Sequence, residues 1–209
     1  MARSADGLTF RKEPGPILGR DAAPGSWETT PPRAPSVYAL PDGRLRMLYA
    51  AGQAIGEAES RDGLAWTRIG GGPILVPAPP PAPGSLLPNE KPPFDTAAVG
   101  DPTAVPRTTP AGRFHVRVLY TGSDAAGSTA IGFAARYGEE GPLARQPVPV
   151  YSVNQGERAP ALLELGDASF LYVQQGRRDG DDPPYPAIAA AFAPANVVLP
   201  PPGDYPEAP

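Results

Sequence analysis

Residues 4–10 read SADGLTF and residues 60–66 read SRDGLAW, and each copy is followed at a similar distance by GPIL, at 15–18 and again at 72–75. Paired phrases of this kind mark an internal repeat. A repeat constrains the fold more than any single motif, because each unit must bury its apolar face against the next.

The units can be traced along the chain. GRLRMLYAAG (43–52) sets Leu45, Met47 and Tyr49 on one face, and AIGEAES (54–60), the Asp62-Gly63 turn and LAWTRI (64–69) follow. Period-two alternation with Gly, Asp or Pro at every boundary reads as antiparallel strands. GRFHVRVLYTG (112–122) and AIGFAAR (130–136) repeat the pattern, and DASFLYVQQG (167–176) with AIAAAFAP (187–194) makes a third, weaker pass. A proline-led apolar strand precedes each hairpin: APSVYAL (34–40), DPTAVPR (101–107) and APALLEL (159–165). Tyr49, Tyr120 and Tyr172 serve as anchors, 71 and 52 residues apart. The expected fold is all-β, a β-propeller with four-stranded antiparallel blades.

The blades fall at 34–75, 95–150 and 157–199, and 4–18 supplies an orphan outer strand, giving about three and a half blades in a propeller domain spanning 1–199. Propellers close with about four to eight blades. The expectation is therefore a truncated ring or one completed by another chain, with open sheet edges able to associate. The 32 prolines and 24 glycines concentrate between strands, so 77–93 reads as a proline-rich loop, 177–186 as an exposed hairpin loop and 200–209 as a disordered tail. The Asp residues of the two DG turns read as folding punctuation, accepting local backbone N–H bonds.

Charge and motifs narrow the function. A net charge of -4 without a run of Lys or Arg gives no nucleic-acid track. No apolar run reaches the roughly 18–20 residues of a membrane span. Residues 1–10 hold no signal-peptide core, which places the protein in the cytoplasm if Met1 is its natural start, and in a secreted or periplasmic setting if an earlier segment exists. Without cysteine, a metal-ligand spacing or a phosphate-binding glycine motif, no cofactor is expected.

FDTAAVGDPTAV (94–105), GRFHVRVLYTG (112–122), AIGFAA (130–135) and the SRDGLAW turn together resemble the five-bladed propellers of arabinanases, xylosidases, levansucrases and invertases. They are also similar to the mannoside phosphorylases, and the resemblance covers most of residues 4–194. It implies an oligosaccharide or polysaccharide in a central cavity, met by carboxylates from successive inner strands. Glycoside cleavage needs one protonated acid and one ionised carboxylate at a set separation.

On that resemblance Asp101, in the DP phrase, matches the Asp that positions the acid or stabilises the transition state. Glu157 is the candidate acid, although it stands three residues before Pro160, one further than the family phrase. Ala34 occupies the place of the base. Asp95, the matched Arg33 and Arg158 of the two RAP phrases, and the single histidine, His115, complete the candidates for substrate contact. Arg33 and Arg158 could fork onto hydroxyls or a carboxylate. A glycoside hydrolase, a non-catalytic carbohydrate-binding propeller and an interaction scaffold formed by an incomplete propeller all fit the sequence.

Overall fold

The computed structural model describes residues 2–12, 14–86, 91–109, 111–153, 156–165, 168–175 and 187–194. Among them are strands and no helix, and hence no helix long and apolar enough to cross a membrane. The chain opens with a small hairpin of β1 (Ala2–Arg3) and β2 (Arg11–Lys12). A first blade follows: β3 (Arg33–Ala39), β4 (Leu45–Ala51), β5 (Ala54–Ser60) and β6 (Thr67–Arg68), antiparallel and in that order. The second blade repeats the order with β7 (Ala98–Thr108), β8 (Phe114–Ser123), β9 (Thr129–Tyr137) and β10 (Ala144–Arg145). The third comprises β11 (Arg158–Leu165), β12 (Ala168–Gln175) and β13 (Ala187–Pro194). The expected hairpin loop at 177–186, the last residues of the third unit (195–199) and the expected tail at 200–209 lie outside the described residues.

The repeat that opens the sequence is the same local structure twice. Ser4 Oγ accepts from the N–H groups of Asp6 and Gly7, and Asp6 Oδ1 accepts from those of Leu8 and Thr9. Ser60 and Asp62 make the matching bonds to Asp62, Gly63, Leu64 and Ala65. Gly7 and Gly63 take positive φ, 73° and 74°, which glycine adopts without steric cost. The Thr9 and Leu8 amides hold the Asp6 carboxyl down to about 2. Both strand pairings keep one register, with Ala2 opposite Lys12 and Ala58 opposite Arg68, so the first hairpin repeats the outer hairpin of the first blade.

The GPIL phrase also has a structural role. Ile55 N–H donates to Leu75 O at 2.9 Å, and Ile55 O accepts from Ile74 N–H at 2.9 Å. Ile131 does the same with Tyr151 and Val150, at 2.9 and 2.8 Å, so Pro149-Val150-Tyr151 is the second blade's version of Pro73-Ile74-Leu75. These residues clip back onto the third strand of the blade and do not extend the outer strand.

Successive blades pack face to face. Leu48 and Ile55 of the first blade share a core with Val116, Val118 and Tyr120 of the second. Leu119, Ile131 and Phe133, on the second blade's other face, share one with Leu171 and Val173 of the third. Between the first two blades, Arg136 reaches Glu57 at 2.6 Å and the Tyr38 hydroxyl at 3.1 Å, and Arg46 also reaches Glu57, at 3.2 Å. Burial pushes the Tyr38 hydroxyl up to about 12.

One anchor shifts by a residue. Arg33 pairs with Ala50, Gly100 with Thr121 and Arg158 with Gln174, so Tyr49 and Tyr120 correspond to Val173, not to Tyr172. A one-residue slip exchanges the faces of a strand. Tyr172 therefore occupies the place of Leu48 and Leu119 and points away from the second blade, together with Phe192 and Ile188. Ile188 is the equivalent of Ile55 and Ile131, yet it is 81% exposed where those two are 0% exposed.

Candidate carbohydrate groove

The inner strands β3, β7 and β11 lie side by side, and each begins with the same irregularity. Ala34, Asp101 and Ala159 all take left-handed φ, at 48°, 46° and 49°, and each precedes a proline. A register break follows at each, between Arg33 and Ser36, Gly100 and Thr103, and Arg158 and Ala161. A non-glycine residue pays about 1–2 kcal/mol for this conformation. Strain of this kind concentrates where a bulge re-aims a side chain towards a site.

The three bulges meet at a groove of about 210 Å³ lined by Arg33, Gly100, Asp101, Thr121, Thr129 and Arg158 among others. Arg33 Nη1 donates to Asp101 Oδ1 at 3.2 Å, tying the first blade to the second. Ala159 N–H donates to Thr121 Oγ1 at 2.9 Å, tying the second to the third. Thr103 Oγ1 donates to Pro160 O beside it. Three of the residues expected from sequence, Arg33, Asp101 and Arg158, are thus brought together on three different blades.

The other three lie elsewhere. Glu157 is 0% exposed and turned inward, accepting from the amides of Val153 at 3.0 Å and Gly156 at 3.2 Å. Arg158 lines the groove one residue later, and Ala159 holds the place equivalent to Asp101. His115 pairs with Arg107, at the other end of β7, about 20 Å of strand away from Asp101. It is buried against Tyr137, and burial, with Arg117 and Arg107 nearby, pushes its ring below its usual value.

Asp95 belongs to a brace that the sequence reading missed. The Tyr120 hydroxyl donates to Asp95 Oδ2 at 2.8 Å, Arg145 approaches the same oxygen at 3.3 Å, and Phe94 stacks on Tyr120 at 6.1 Å. In the first blade Tyr49 donates to Glu28 at 2.7 Å, Arg68 to Glu28 at 2.6 Å, and Trp27 stacks on Tyr49 at 6.0 Å. Burial alone would raise the Glu28 carboxyl, but Arg68, the Asp21 amide and Tyr49 outweigh it and hold it at about 2. The signal was present in the sequence: an aromatic–acid pair, Trp27-Glu28 and Phe94-Asp95, begins seven residues before each of Ala34 and Asp101.

Among the described residues no group of three or more His, Asp or Glu is placed to hold a metal ion. The groove offers one carboxylate, two guanidinium groups and the hydroxyls of Thr121, Ser123 and Thr129, a set suited to hydrogen-bonding hydroxyl-rich ligands.

No known family description matches the chain, and no curated protein does. Solved structures do. A thermostable family-43 glycoside hydrolase aligns with a TM-score of 0.59 at 14% identity, over 80% of this chain and 50% of its own length. A Bacteroides thetaiotaomicron protein, whose description as a glycosidase is provisional, aligns with a TM-score of 0.61 at 15% identity, over 92% of this chain and 58% of its own. The fold is that of the β-propeller glycoside hydrolases, and the chain spans about half the length of these structures.

Proposed function

We propose that the groove binds a saccharide, and that its described residues hold the sugar without cleaving it. One observation carries this reading: of three equivalent bulge positions converging on the groove, only Asp101 bears a carboxylate, with Ala34 and Ala159 at the other two. Cleavage through paired carboxylates requires two of them about 5–9.5 Å apart across the sugar. Glu157, the sequence candidate for the second, is enclosed by its own loop.

Binding needs less. A single carboxylate can accept two sugar hydroxyls, threonine and serine hydroxyls can donate and accept, and arginines can donate to ring and hydroxyl oxygens. In the proposed mode Asp101 accepts from the sugar while Arg33 holds its carboxylate in place. Titration calorimetry with a panel of plant and microbial oligosaccharides tests the reading. At least one should bind, and Asp101→Asn should weaken it about tenfold or more. Saccharide release of reducing ends by the chain, abolished in Asp101→Asn, would overturn the non-cleaving part.

A further inference from the structure

The groove's charge runs against that of the chain. The protein carries -4 overall, yet the groove is lined by two guanidinium groups, Arg33 and Arg158, against one carboxylate, Asp101. Asp101 is already engaged by Arg33 at 3.2 Å. Among the described residues no carboxylate is paired with Arg158, which stands exposed at the start of β11.

The two arginines are also a matched pair. Arg33, Gly100 and Arg158 are equivalent residues of three adjacent inner strands, each one position before the left-handed residue. Gly100 stands between them in the repeat. A Cβ there would make ordinary van der Waals contact, 3.5 Å from Arg33 Nη2, so this position borders the Arg33 guanidinium directly. The wall between is polar as well: Thr129 Oγ1 is buried and has no hydrogen-bond partner among the described residues. A buried hydroxyl left unmatched is costly unless something bonds to it.

We infer that the saccharide recognised here carries a carboxylate, as uronic acid residues do, and that Arg158 with Arg33 receives it. The inference rests on the groove being a sugar site and names the chemical class of the sugar. A guanidinium presents parallel N–H donors that match the two oxygens of a carboxylate, and it remains charged at all relevant pH. Arg158 supplies the unengaged fork, Thr129 a neighbouring hydroxyl, and Asp101 the acceptor for the ligand's own hydroxyls.

The test compares oligogalacturonate, its methyl ester and a neutral xylo-oligosaccharide on the full chain by calorimetry. The expected result is tightest binding to oligogalacturonate, weakened about tenfold or more by esterification, by Arg158→Gln or by high salt. Arg33→Gln should act in the same direction, and Arg61→Gln, on the exposed DG turn, should leave binding unchanged. Equal binding of the neutral sugar and the uronate, insensitive to Arg158→Gln, would overturn the inference and leave the sugar site standing. Binding of none of the three, by a chain that melts cooperatively, would overturn the inference. A neutral sugar binding elsewhere in a wider panel would then retain the sugar site alone.

Discussion

Arg33 and Asp101 lie 68 residues apart in sequence and 3.2 Å apart across the junction of two blades, each at the bulge that opens its inner strand. The Arg33 side chain is 51% exposed and that of Asp101 25%, so the ion pair itself adds little stability. Asp101→Asn should lower stability by less than about 1 kcal/mol while reducing sugar affinity. The left-handed strain can be relieved separately. Ala34→Gly and Ala159→Gly should each stabilise by up to about 1 kcal/mol, read by urea unfolding, since glycine meets that φ without steric cost. Destabilisation by both would show that these positions are not left-handed in solution.

The paired faces of the blades give a sharper contrast. Ile131→Ala should cost about 2–4 kcal/mol, because Ile131 is enclosed between the second and third blades. The equivalent Ile188→Ala should cost less than about 0.5 kcal/mol, because the face of Tyr172, Ile188 and Phe192 has no covering layer among the described residues. An equal loss at both positions would show that this face is covered in solution.

The two braces predict a structural role for Asp95. Tyr120→Phe removes the hydroxyl that donates to Asp95 and should cost about 1–2 kcal/mol. Asp95→Ala leaves the half-buried Arg145 without its carboxylate and should cost more, with sugar affinity unchanged for the folded fraction. Loss of affinity at unchanged stability in Asp95→Ala would assign it to the binding site instead.

Acid should weaken the fold in two separate windows. The His115 ring is held below its usual value in the fold, first by burial and then by Arg117 and Arg107. Below about pH 6.5 the unfolded chain takes up a proton that the folded chain resists, so stability falls as pH drops, by at most about 1.4 kcal/mol per unit. Above that pH the effect is absent, and His115→Phe should flatten the slope between about pH 6.5 and 5. Glu28 is held at about 2, below its ordinary value of 4.5, so its contribution is complete above 4.5 and is lost on descending towards 2. Glu28→Gln should shrink that lower window, which Asp6 and other lowered carboxyls share, and leave the upper one unchanged. Melting temperature against pH for the two variants checks both, and an unaltered profile in either contradicts its assignment.

Much of this was legible because the blades are punctuated locally. Ser60, Asp62 and Gly63 close their turn with bonds inside seven residues, so the phrase carries its structure with it. Arg33 and Arg158 stand two residues before a proline and Asp101 one, and those phrases drew attention to the three residues that line the groove. The third blade was harder. Leu171, Tyr172 and Val173 are all apolar, and nothing in composition says which of them faces the second blade; only the pairing of Arg158 with Gln174 fixes it. Glu157 failed for the same reason, since one residue of offset exchanges the groove for the loop interior. The braces escaped notice because Glu28 meets Tyr49 and Arg68 only after folding, across 21 and 40 residues.

Amide chemical-shift mapping of the chain, during titration with the tightest-binding oligosaccharide, would show whether the three bulges form the proposed saccharide site. The largest shifts should fall on Arg33, Gly100, Asp101, Thr121, Thr129 and Arg158, on three blades at once. Shifts confined to other residues, with these six unmoved at saturation, would contradict it.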